Sequence, residues 1–262
     1  MSAAGSDSNG HSKPSGAPKG PISDSLKKPL AKRFYKDVSV TSGAFHQVCL
    51  DNRPIRTPAK RALVLPTAAL AEAVANEWRA QTVDIDPASM PLTRMANTAI
   101  DAVAETADAV ARDIVAYAGR DLLCYRAEQP QELRDKQAAA WDPVLAWVQA
   151  ALGARFKVVE GMMPVDQDAI TLNRIATALE PHEPFRLTGL HVMTTLTGSA
   201  LLSLAVARGH LTPQAAWAAA HVDEDYQIAR WGEDYEAAER RKARWAEFSA
   251  AATLVALLHA TS

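Results

Sequence analysis

Residues Leu187 to Ala207, LTGLHVMTTLTGSALLSLAVA, contain no formally charged side chain. So long a neutral run has to leave water, into a protein core or into a bilayer, where about 20 apolar residues cross the hydrocarbon layer. Four Thr, two Ser, two Gly and His191 moderate its hydrophobicity. Small residues also let neighbouring helices approach closely, which favours a buried central helix over a membrane span. The rest of the chain suits such a core. Its 262 residues suffice for one large domain or two smaller ones, and 48% hydrophobic with 22% charged residues is ordinary for a globular protein.

The net charge of -2 provides no basic field, so nucleic acid is not an expected partner. Cys49 and Cys124 stand far apart without a CxxC or Cys/His cluster, which excludes a disulfide framework and fits a reducing compartment. Residues 1–32, rich in Ser, Gly, Pro and Lys, are expected to form a disordered, solubilising tail. That tail has no apolar core of a secretory signal. Its first Arg is Arg33, while Asp7 and Asp24 come earlier, unlike a transit peptide. A bacterial cytoplasmic protein is expected, with the mitochondrial matrix as the alternative.

Strand signals follow in residues 33–66. Val38 and Val40 alternate with polar neighbours, and Ser42-Gly43 and Asp51-Asn52 mark turns. Pro54, Pro58 and Pro66 limit the last segment to an edge. From Thr67 the period becomes helical, with Thr67 as cap and Leu70, Val74 and Trp78 on one face. Leu92, Ala96, Ala99, Val103, Val110, Ile114 and Tyr117 define a second stripe, ended by Gly119 in a left-handed cap. Asp142-Pro143 reads as a helix start, Asp166 as a cap for a helix through Leu179, and Thr212-Pro213 as another start. Residues 153–165 read as a short strand or an extended connector. The expected class is α+β: a small antiparallel β-rich part with one helix over residues 33–90, packed with a larger, mainly helical part over 91–262.

No phosphate-binding loop, dinucleotide fingerprint, nucleophile elbow or HExxH motif is present. No cofactor and no metal are expected, and the chain does not read as an enzyme. The densest candidate site is residues 221–241, HVDEDYQIARWGEDYEAAERR. His221 and Asp225 stand one helical turn apart, but a metal site needs at least three protein ligands. Acid–base catalysis needs carboxyl groups in distinct environments, which adjacent exposed carboxylates lack. A small-molecule enzyme or metal-binding protein using helix 221–239 is therefore only the alternative function. Trp231, Tyr235, Ala238, Lys242 and Trp245 fall on one helical stripe, beside a face carrying Glu233, Glu236 and Arg240. That pattern fits either a solvated face beside a core stripe or an acidic rim around docking aromatics.

Longer runs narrow the choice. VCLDNRPIRTPAKRALVLPT, LAEAVANEWRAQ, MPLTRMANTAID, DLLCYRAEQP and WDPVL, in this order, resemble the ATP synthase assembly chaperone family that binds the alpha subunit of the catalytic head. The resemblance covers residues 33–250. It implies a non-enzymatic protein that keeps the unassembled alpha subunit soluble until it pairs with beta; a monomer without an integral membrane segment is expected. It also implies a partner-binding site at the Trp-Gly and D-x-E match: Trp231, Gly232, Asp234 and Glu236. Glu233, Tyr235 and Glu239 lie beside it. Family members need the carboxylate aligned with Glu236. The spacing from Trp-Gly to D-x-E is shorter here than in mitochondrial members, which leaves Asp234 and Glu239 as alternatives for that role.

Overall fold

The computed structural model describes residues 29–259 apart from positions 44 and 162. The expected tail lies outside the described residues except at its end, where β1 (Ala31–Lys32) pairs antiparallel with β6 (Asp84–Ile85). The alternation at Val38 becomes β2 (Val38–Ser42), which pairs in full antiparallel register with β3 (His46–Leu50), from Val38 opposite Leu50 to Ser42 opposite His46. β3 also pairs with β4 (Arg53–Pro54) and β5 (Val64–Leu65). Pro54 occupies an edge strand, where a missing N–H costs no ladder bond.

Val48, Leu63 and Leu65 are fully buried against Leu70 and Val74 of α1 (Ala68–Ala80), whose cap Thr67 accepts from the Leu70 N–H at 3.2 Å. Glu77 of α1 then starts the next helix, α2 (Pro91–Thr98), by accepting from the Leu92 and Thr93 amides and the Thr93 hydroxyl, each at 2.7 Å. A π-helical turn, Ala99–Val103, joins α2 to α3 (Ala104–Ala118). Such a turn inserts an extra residue and rotates the buried face. A kink at Thr106, with φ -127°, follows it, and beyond both Ala111, Ile114 and Ala118 are buried, while Val110 and Tyr117 of the expected stripe are only half-buried. Gly119 has φ -62°, so the expected left-handed cap does not form.

Two further expectations, at Asp142-Pro143 and at Asp166, are corrected. Pro143 is not at a helix start but inside α4 (Gln131–Leu152). An interior Pro costs about 3 kcal/mol. Burial of neighbouring Trp141, whose indole N–H donates to the Ala219 carbonyl at 2.7 Å, holds the helix together across it. Asp142 pairs with Arg126 at 2.7 Å instead of capping. The connector after α4 does contain a strand, β8 (Val159–Glu160), parallel to β7 (Tyr125–Arg126). The next helix, α5 (Ala169–Leu179), is preceded by Asp168 rather than Asp166, and Asp168 binds Lys157 at 2.7 Å.

The neutral run is central and buried, but it is two helices: α6 (Pro184–Thr197) and α7 (Ala200–Ala207). Gly198, at φ +70°, ends the first, and the Ser199 hydroxyl accepts from the Leu202 N–H to start the second. Three of the run's four threonines donate to carbonyls one turn back, Thr188 to Pro184 at 2.7 Å, Thr195 to His191 at 3.0 Å and Thr197 to Met193 at 2.8 Å, while the buried Thr194 hydroxyl has no partner among the described residues. Among the described residues, no helix is long and apolar enough to cross a membrane.

After α8 (Pro213–Ala220) and α9 (Val222–Trp231), the long α10 (Tyr235–Leu257) closes over α6. A Cβ on Gly189 of α6 would come within 2.5 Å of Val255 and 3.1 Å of the Ala251 carbonyl, so only glycine permits this approach. The Thr67 hydroxyl donates to the Leu257 carbonyl at 2.9 Å, and Arg94 pairs with Glu247, tying α1 and α2 to the same helix.

Candidate docking surface

The stretch 221–241 folds in two halves of opposite character. His221 closes α8 and is only 5% exposed. Its ring lies 4.0 Å from that of Trp217, and Nδ1 is 2.7 Å from the Trp217 carbonyl oxygen. Burial pushes its pKa below the usual histidine value, and Arg241 and Arg244 push the same way against the carbonyl and Glu224. The imidazole therefore packs neutral beside a cluster of Trp217, Trp245 and Phe248.

The first half is a joint, although Asp223 and Asp225 themselves stay exposed. Asp223 accepts from Gln137 at 2.7 Å, and Asp225 pairs with Arg241 at 2.6 Å. Asp225 thus serves α10 rather than a ligand shared with His221. Among the described residues, no three His, Cys, Asp or Glu side chains converge to hold a metal. Tyr226 is buried against α4, where its hydroxyl and Arg230 both approach Glu132, at 3.4 and 2.8 Å. Arg230 also lies over the Tyr226 ring at 4.5 Å. The Arg230 hydrogen bond is the main cause holding the Glu132 carboxyl below its ordinary pKa.

The second half faces outward. Gly232, at φ +86°, breaks the helix, a conformation that a residue with a Cβ adopts with strain. Asp234 then accepts from the Ala237 N–H at 2.8 Å and caps α10. The break means that the expected stripe is not continuous. Trp231 ends one helix and Tyr235 begins another, while Trp245 turns into the aromatic cluster. Trp231 is 81% exposed and Tyr235 79%. Glu233, Asp234, Glu236 and Glu239 are exposed around them. Glu236 has Arg240 at 3.5 Å, the expected pair one turn along the helix. All six expected partner-binding residues thus lie within one short turn and the start of α10, forming an aromatic and acidic shelf. Asp234 has a structural task there as well.

Elsewhere, a cavity of about 850 Å³ lies between α3 and α5, lined by Ala111, Arg112, Val115, Arg120, Leu172 and Asn173 among others. The strongly perturbed groups lie outside it. Asp121 is completely buried, which pushes its pKa up to about 6. It accepts from the Leu123 and Leu201 amides, both at 3.1 Å, and so anchors the start of α7. Burial likewise pushes the neighbouring Cys124 thiol up to about 12. Glu77 is raised by burial while it caps α2. Neither Asp121 nor Glu77 stands out in the sequence, because the amides they bind at the helix starts lie 80 and 15 residues along the chain, at Leu201 and Leu92.

The family model described as ATP12 chaperone protein matches residues 32–149. The mitochondrial protein atp12 of Schizosaccharomyces pombe is 24% identical over 224 residues, covering 80% of this chain and 77% of the relative. The crystal structure of Atp12 from Paracoccus denitrificans is 42% identical, covers 87% of this chain and 99% of that one, and superposes with a TM-score of 0.83. The Atu1473 protein of Agrobacterium tumefaciens is 47% identical, covers 89% and 88%, and has a TM-score of 0.86.

Proposed function

This chain belongs to the ATP12 chaperone family, and from that premise we propose that it serves ATP synthase assembly by binding the unassembled alpha subunit and preventing its aggregation. An alpha subunit without its partner exposes a broad apolar interface, which invites aggregation. The observation that carries the reading is the shelf, with Trp231 and Tyr235 exposed beside four carboxylates. These two rings are the most exposed large aromatic side chains among the described residues, and aromatic residues are enriched at protein interfaces. The carboxylates give recognition of polar groups at the client's edge and allow release, since charged contacts add specificity more than affinity. The protein acts as a monomer in the bacterial cytoplasm, or in the mitochondrial matrix, and holds its client transiently.

Co-purification with separately produced alpha and beta subunits tests this. Wild type is expected to retain alpha and not beta, and Glu236→Lys to retain alpha at least tenfold less well, about 1.4 kcal/mol. Equal retention by the lysine variant would remove the acidic site from the reading.

A further inference from the structure

Among the described residues, three aromatic rings carry cations on their faces. Arg33 lies 4.7 Å from the Tyr35 ring centre, Arg126 lies 4.9 Å from that of Trp141, and Tyr226 has Arg230 at 4.5 Å with the Lys136 ammonium farther off at 5.9 Å. Trp231 and Tyr235, on the shelf, carry none among the described residues. The arginines nearest to them in sequence are turned elsewhere. Arg230 goes to Glu132, Arg241 to Asp225, and Arg244 to the Leu196 carbonyl. Only Arg240 remains near Glu236, at 3.5 Å and 67% exposed. Glu233 and Glu239 have no ion-pair partner among the described residues. Trp231 and Tyr235 also make no ring-to-ring contact with each other, since Gly232 places them on separate helices.

The shelf therefore offers two bare ring faces with unpaired carboxylates within a few residues of each. An apolar partner surface would cover the rings but strip water from the carboxylates without compensation. An ammonium would answer the carboxylates, yet it is compact and strongly hydrated and has no flat face to lay on a ring. A guanidinium answers both: its plane stacks on the ring while its edge donates to carboxylate oxygens. We infer that the shelf captures an arginine side chain of its partner, stacked on Trp231 or Tyr235 and bonded at its edge by Glu233 or Glu239. The inference rests on the reading of this shelf as the client-binding face. It adds the chemical identity of the group recognised.

Two measurements separate the two claims. In the first, the full chain is titrated with arginine amide and then with lysine amide. The indole N–H resonance of Trp231, identified by its loss in Trp231→Phe, is followed by NMR. Arginine amide is expected to shift it at concentrations where lysine amide does not. An unmoved resonance, or equal shifts from both, would overturn the inference whatever the client does. In the second, affinity for the alpha subunit is measured for Trp231→Leu, Trp231→Phe and the Glu233→Gln/Glu239→Gln pair. Replacing the ring by leucine is expected to weaken binding roughly fivefold to thirtyfold, and phenylalanine to restore most of it. The glutamine pair is expected to flatten the dependence on salt. Wild-type affinity in Trp231→Leu would also overturn it. If wild type fails to bind alpha while the NMR selectivity holds, the choice of client is wrong and the arginine site stands.

Discussion

The two ends of α10 belong to one helix and have opposite surroundings. Toward its C-terminal end Phe248, Ala251, Ala252, Leu254 and Val255 are buried, with Phe248 beside Trp217 of α8 and with Ala251, Leu254 and Val255 so close to α6 that Gly189 must lack a side chain. At its N-terminal end Tyr235, Glu236 and Glu239 face solvent, and Trp231 projects from the preceding helix beside them. The rigid end supplies a fixed platform, and the exposed end presents groups whose interactions are not made within the chain. Changes at the first should register as folding stability, and changes at the second as binding.

The strongest test of that contrast is Phe248→Ala. Removing a fully buried phenyl ring from the contact with Trp217 and Trp245 should destabilise the fold by about 3–5 kcal/mol in denaturant unfolding. A smaller effect should come from His221, which lies between the two ends. Its folded pKa is lowered, so between that value and the unfolded value of about 6.5 the unfolded chain binds more protons. The stability contributed by the neutral ring is complete above that window and is lost as pH falls through it. Arg241 and Arg244 of α10 reinforce this, and Glu224 of α9 opposes it. The stability advantage of wild type over His221→Gln, measured by urea unfolding at several pH values, should therefore shrink as pH drops from about 7 toward 5. The smallest effect is expected for Trp231→Ala. Its unfolding free energy should stay within about 0.5 kcal/mol of wild type, because the ring touches little. A loss comparable to that of Phe248→Ala would end the distinction between platform and shelf.

Much of the fold was legible because its signals are local. Alternation at Val38 and Val40, the Asp51-Asn52 turn and the Thr67 and Thr212 caps depend on neighbours within four residues, and each forms as the pattern requires. The misread elements depend on distant partners. Pro143 stays helical because Trp141 reaches Ala219, and the π-helical turn before Val110 is held where Asp101 accepts from Thr57 at 2.6 Å and the Ala59 amide at 3.0 Å. Those contacts also bring TPAKRA and MPLTRMANTAID together: Arg61 of the first run donates to the Ile100 carbonyl of the second at 3.0 Å. At the candidate site, the residue types and their crowding were visible in sequence. The opposite destinations of its halves were not, since Asp225 meets Arg241 and Arg230 meets Glu132 only after three helices have packed.

By itself, the sequence determined that residues 187–207 must leave water, that a β-rich part precedes a helical one, and that carboxylates and aromatics gather after position 221. Periodicity and charge are properties of neighbouring residues, so they survive without a fold. Only the tertiary structure decided that the neutral run breaks at Gly198, that His221 turns inward, and that Trp231 and Tyr235 stand in solvent. Each of those outcomes depends on which surfaces meet across tens of residues. A helix face becomes core or docking surface according to whether another helix arrives to cover it.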